Sequence, residues 1–236
     1  MLAAERLPAL PWTWPWCAVD GRPLRPLELL LSRKFSILYL VVIWVLWLGL
    51  VPGGKFDCIE FGGRLGCVGG LWPEEIISKP LKFLFSLVVA PWLHHDGGEH
   101  IFFVTFFGFM MFVQSFEVRV GGVKTFLMFF TSIAFAGILV ALAMNMGDML
   151  WPDNEILNQG MGRSWIGGSA GFFGIIGASA HQSNSRWLVI LIAVIFETWN
   201  YYTHGISTFT SIAHMTSMAY GFLVWGWWIG AWKTES

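Results

Sequence analysis

Long stretches of this chain carry no charge. Residues 35–54 lie between Lys34 and Lys55, residues 100–116 stop at Glu117, and residues 125–147 lie between Lys124 and Asp148. Residues 164–185 lie between Arg163 and Arg186, residues 187–203 hold one acid, Glu197, and residues 210–232 hold none. A hydrocarbon core about 30 Å thick needs about 20 apolar residues in a helix that rises about 1.5 Å per residue. The pattern predicts six spans, over about 35–54, 100–116, 125–147, 166–185, 187–203 and 210–232. One more apolar run, residues 81–93, is short, interrupted by Lys82 and broken near its end by Pro91. It predicts an interfacial or re-entrant segment in the first outer loop.

The flanks set the orientation. Residues 1–34 begin with a stretch, 1–20, that is broken by Pro8, Pro11 and Pro15 and has no basic cluster ahead of an apolar run, so no secretory signal is expected there. They are expected to form a cytoplasmic arm, with Trp12, Trp14 and Trp16 as interface anchors. With six spans both termini share one side, and residues 233–236 form a cytoplasmic tail. That side holds nine of the 14 Lys and Arg residues, which makes it the inner face. Cys58 and Cys67 then fall in the outer loop, where oxidising conditions would let them pair; two free thiols are the alternative. The expected location is a cell membrane, with the chain crossing it several times.

Composition agrees. The chain of 236 residues is 56% apolar and 12% charged, against about 25% charged in soluble domains. A solvated globular domain and a disordered chain are excluded, and a net charge of −1 offers no field to attract nucleic acid. Fifteen Trp and 27 Gly suit a membrane bundle, where Gly allows close helix contact and Trp sits at the lipid boundary.

Three polar features stand out against this background. Residues 165–180 begin the fourth span with Gly167, Gly168, Ser169, Ala170 and Gly171, followed by Gly174 and Gly177. Ser169 would sit in the first turn of a helix whose free N–H groups and positive dipole end can hold a developing anion. In the sixth span, His214, Ser217 and Gly221 share one helix face. An imidazole within a membrane helix by default faces the bundle interior or water. Ahead of the second span stand His94, His95 and, at its mouth, His100. Three histidines within seven residues evoke zinc, but neither helical His-x-x-x-His spacing nor a Cys partner accompanies them. No metal and no cofactor are expected. Ser169 as nucleophile, His214 as general base and His100 as oxyanion donor would form a hydrolytic centre. Glu197 and Glu117 are the only acids within reach of the spans, and the expected design is a dyad.

On these residues the sequence resembles the rhomboid family of intramembrane serine proteases. Gly167-Gly-Ser169 with Gly174 and Gly177 resembles the family's fourth-helix motif, and His214 with Gly221 its sixth. His95 and His100 resemble the histidine pair entering the second helix, and Glu117 to Gly121 the acid-then-glycine turn that follows it. The match covers residues 90–230. It implies a six-helix rhomboid-like bundle over residues 35–232, with Ser169 attacking the scissile carbonyl and His214 taking its proton. The Ser169 main-chain N–H and His100 would hold the oxyanion, with Gly167, Gly168 and His95 supporting the site and Phe173 packed beneath the base. It implies approach of a substrate from the side, between the second and fifth spans, where Phe102, Phe103, Phe106 and Trp199 would form a gate. Val104 departs from the pattern: it occupies the family's Asn position, so one side-chain oxyanion donor is lost. Such a loss costs about 10²–10³ in rate where the hole depends on it. Ala170 and Ser217 replace glycines.

The resulting expectation is a serine protease that cleaves single-span transmembrane proteins near the outer face of the lipid bilayer. The alternative is a weak or inactive rhomboid-like protein that binds membrane helices. A transporter using Glu197 is a third class, but no pair of interrupted helices supports it.

Overall fold

The computed structural model describes residues 12–50, 69–94, 98–204, 207–225 and 227–228. Cys58, Cys67, His95 and the tail 233–236 lie outside the described residues. For His100 the backbone is described and the side chain is not. Among the described residues the regular structure is helical, apart from two isolated bridges, Cys17–Pro23 and Leu71–Trp165.

The apolar intervals become helices whose ends are set by local chemistry. Helix α1 (Pro26–Ser32) starts with proline at its first position, and the Arg25 N–H donates to Glu28 Oε2 over 3.0 Å. Helix α2 (Lys34–Leu50) follows after an 88° bend. The carboxylate of Glu117 takes up the start of α2: it accepts from the Phe35 N–H (2.7 Å), the Ser36 N–H (2.8 Å) and the Ser36 hydroxyl (2.7 Å). First-turn amides have no carbonyl of their own to meet, and a negative charge is favoured there. Glu117 is therefore a buried cap and stands apart from the chemistry. Arg33, at the bend, is buried and donates to Gln114 Oε1 (2.7 Å) and to the Cys17 carbonyl (2.6 Å). The arm is thus fastened to the bundle, while on its exposed side the Trp14 ring stacks on Trp16 and meets Trp12 at a tilt.

Helix α3 (Glu75–Ser78) and helix α4 (Pro80–Val89) with its terminal turn Ala90–Trp92 occupy the region expected to be interfacial. Phe83, Ser86 and Leu87 face inward and Leu81, Leu84, Phe85 and Val88 face outward, so α4 is a short amphipathic helix. Lys82, which interrupts the apolar run, pairs with Glu75. Helix α5 winds continuously through Gly98–Phe103, Val104–Val113 and Gln114–Val120, its middle part with wide π-type turns. Gly121 at φ +89° makes the sharp turn into helix α6 (Gly122–Leu150). Helix α7 (Glu155–Met161), capped by the Asn154 side chain, packs near α6 without having been anticipated. Helices α8 (Ser169–Gln182), α9 (Arg186–His204) and α10 (Thr208–Tyr220), the last prolonged by Gly221–Trp225, complete the bundle.

Helix α8 is the centre. Every residue from Gly171 to Ala180 is buried, against α6, α9, α10 and the middle of α5. Its glycines let backbones touch. A Cβ on Gly221 would fall on the Gly174 main chain, and one on Gly177 on the Met218 main chain. Large apolar side chains point outward instead, among them Val45 on α2, Phe106 on α5 and Ile195 on α9.

Among the described residues, two helices are long and apolar enough to cross a membrane, Ile101–Val120 and Gly122–Leu150, or three if the bent pair Pro26–Ser32 and Lys34–Gly49 counts as one span. The six expected intervals each contain a helix, but α8, with 14 residues, covers only about 21 Å. It starts later than expected because Gly167, at φ +105°, and Gly168 hold the chain outside helical geometry until Ser169.

Candidate active site

The segment leading into α8 is held by main-chain hydrogen bonds. Leu71 and Trp165 exchange N–H···O bonds of 2.9 and 2.8 Å, and the Gly167 N–H donates to the Ala90 carbonyl (2.9 Å). Gly168 is walled by Tyr39 and Phe129, with no room for a Cβ. Ser169 is thereby delivered as the first residue of α8, where the leading amides are not consumed by the helix's own carbonyls.

His214 comes from α10, and its ring is buried. Its Nε2 lies 2.8 Å from Ser169 Oγ. The Phe173 ring, one turn after Ser169, stacks on the imidazole with centroids 4.4 Å apart and planes 10° from parallel. Nδ1 lies 2.8 Å from Glu197 Oε1 on α9. Three helices thus converge on one imidazole, with the carboxylate and the hydroxyl on opposite edges of the ring and the phenyl beneath its face.

These groups line a cavity of about 530 Å³, within the size range of small-ligand sites. Its wall includes Ser169, His214, Glu197 and Asn200, together with Arg163, Phe103 and Val104. Val104 does face this space, so the position contributes a methyl-lined surface and no donor. Phe103 of α5 stacks on Phe196 of α9 with centroids 5.4 Å apart and planes 3° from parallel. The cavity therefore has an aromatic contact between the second and fifth apolar intervals. Phe102, Phe106 and Trp199 are about half exposed on the outside.

Of the residues expected at the site, the structure brings together Ser169, His214 and Phe173, with Gly167 and Gly168 shaping the approach. His100 enters only through its backbone, in the first turn of α5. Buried His94 lies on the preceding segment. Among the described residues no group of three His, Cys, Asp or Glu side chains converges as metal ligands do.

Two residues at the site were not read from the sequence as part of it. Glu197 appeared as one of two acids within reach of the spans, left out of the expected dyad, and as the acid of a transporter alternative; Asn200 did not appear at all. Their spacing carried a signal: positions i and i+3 put both on one face of α9, and each is buried. Two polar side chains sharing the inner face of an apolar helix mark what that face looks onto. Comparison with family models, with curated proteins and with solved structures finds no match to this chain.

Proposed function

We propose that this chain is a rhomboid-type intramembrane serine protease. The observation that carries the reading is the 2.8 Å contact between Ser169 Oγ and His214 Nε2 at the start of a buried helix, inside a cavity. A hydroxyl is a weak nucleophile until a base lies within hydrogen-bond reach, about 2.6–3.2 Å. That condition is met here by groups 45 residues apart in the chain.

In this reading Ser169 Oγ attacks the scissile carbonyl as its proton passes to His214 Nε2. The main-chain N–H of Ser169, with the helix dipole behind it, receives the oxyanion, and the resemblance assigns His100 as a second donor. His214 returns the proton to the leaving amine, and a water repeats the sequence to release the acyl group. The polar walls around Asn200, Ser207 and Thr210 give that water a place to enter. Substrates are single-span membrane proteins. A helical peptide bond must unwind before a serine can reach it, so helix-weakening residues near the outer membrane face favour cleavage. The Phe103–Phe196 contact lies where such a segment would come in from the side. The bundle is proposed to cross a cell membrane six times, with both termini inside.

Labelling of the purified protein with a fluorophosphonate probe tests the reading. Wild type is expected to label and Ser169→Ala to lose labelling, with cleavage of a single-span substrate lost in parallel. Absence of labelling in folded wild type overturns it. Val104 on the cavity wall favours a second reading, a helix-binding protein with weak or no catalysis, which that same outcome would support.

A further inference from the structure

The geometry points to Glu197 as the third member of the reactive constellation, a positioning residue that makes this site a Ser-His-Glu triad. The inference rests on the protease reading above and adds to it an acid that the dyad expectation left out.

Glu197 sits in an unusual place for a carboxylate. Helix α9 turns Leu191, Ile195 and Trp199 outward, yet the Glu197 side chain is 5% exposed and its hydrogen-bond partner is His214. No Lys or Arg pairs with it among the described residues. Its second oxygen, Oε2, is buried without a hydrogen bond to any described residue. Ser211, one turn before His214, faces the same carboxylate. A helix bundle gains little from a buried acid that serves only as a tie, since an apolar pair of similar size would do as well or better. The carboxylate is explained by what it does to the ring.

An ionised Glu197 only accepts, so Nδ1–H donates to Oε1 and Nε2 keeps its lone pair toward Ser169 Oγ. That is the tautomer able to take the serine proton. When the Oγ–H bond breaks, the proton goes to Nε2, Oγ forms a bond to the substrate carbonyl carbon, and the carbonyl π electrons move to its oxygen. The imidazolium formed then faces a fixed carboxylate rather than low-dielectric surroundings alone. The proton next moves from Nε2 to the leaving nitrogen as the C–N bond breaks. Glu197 takes up no proton at any stage. Phe173 holds the plane of the ring, and Glu197 holds its rotation and charge within that plane.

The test is the second-order rate of fluorophosphonate labelling in Glu197→Gln and Glu197→Asp, with ¹⁵N spectra of the histidines, the His214 signals being assigned by their absence in His214→Asn. Glu197→Gln keeps the size and removes the charge. In a soluble triad the equivalent neutralisation costs about 10⁴ in rate. With a stacked ring also present, a loss of about 10²–10⁴ is expected, with Glu197→Asp recovering part of it. Wild type and Ser169→Ala are expected to show His214 protonated at Nδ1, and Glu197→Gln to lose that preference. Labelling of Glu197→Gln within threefold of wild type overturns the inference and leaves the protease reading standing. A wild-type His214 with its neutral proton on Nε2 overturns it even if the variants do not fold. If wild type fails to label, the protease reading falls, and the tautomer still decides whether Glu197 orients the ring.

Discussion

Gly221→Ala tests whether the contact between α8 and α10 sets the reactive distance. Gly221 lies seven residues after His214, about 10 Å further along the same face. The added Cβ would stand 2.7 Å from the Gly174 carbonyl carbon and 3.0 Å from its Cα. Carbon atoms settle at about 3.5–4.0 Å, so the helices must part by about 1 Å, and the atoms in the way are main chain. A Cβ built on Gly177 would likewise stand 2.9 Å from the Phe222 nitrogen, so main chain meets main chain one turn further along the same seam. Overpacking of this kind costs about 1–3 kcal/mol, which lowers the melting temperature by roughly 2–10 °C for a chain of this size. Opened by about 1 Å, the 2.8 Å contact between Ser169 and His214 passes out of hydrogen-bond range. A misplacement of that size costs about 10² in rate. The assay is the fluorophosphonate labelling rate beside a thermal melt in the same detergent. Gly49→Ala, with open space at its Cβ position, serves as the unperturbed comparison. Gly221→Ala matching Gly49→Ala in both measurements would refute the reasoning.

Two further outcomes follow from the geometry. Glu117→Ala removes an acceptor of three hydrogen bonds at the start of α2 and strands buried donors, so it is expected to destabilise by about 3 kcal/mol or more; a melt unchanged from wild type would contradict its role as a cap. Phe173→Leu removes a stacking contact worth about 0.5–1.5 kcal/mol, so labelling should slow about 2- to 12-fold and the melting temperature should fall by about 1–6 °C; a rate equal to wild type would show that the ring is held by other means.

The sequence made the serine and the imidazole legible because both break a rule of their surroundings. Ser169 stands among glycines that only close packing explains, and His214 stands in a helix that should shun it. Phe173 came only through the resemblance, which implies an aromatic ring four residues after the serine. Glu197 was visible as an anomaly, but its meaning was not. Which edge of the His214 ring faces α9 depends on how two helices lie against each other, and no spacing within either one encodes that. Helix ends were less legible for a related reason. The start of α8 is fixed by a positive φ at Gly167 and a bond to Ala90, local events hidden inside an uncharged interval. Counting uncharged residues also treats every interval as lipid-facing, whereas α8 is wrapped by its neighbours and can be short. Helix α7 left no trace because residues 155–161 have no apolar run to announce them.

The right angle between α1 and α2 has its own consequence. If α2 stands upright in a bilayer, α1 lies flat, with Leu27, Leu30 and Leu31 exposed on it and the three tryptophans exposed on the arm that leads into it. Such an outrigger fixes the waterline on one rim, and the clamp from Arg33 to Gln114 carries that level into α5. In the proposed six-span arrangement a thinner or thicker lipid film would then be accommodated at the opposite rim, toward which Ser169 would open, so the depth of the hydroxyl beneath the headgroups would vary with acyl-chain length.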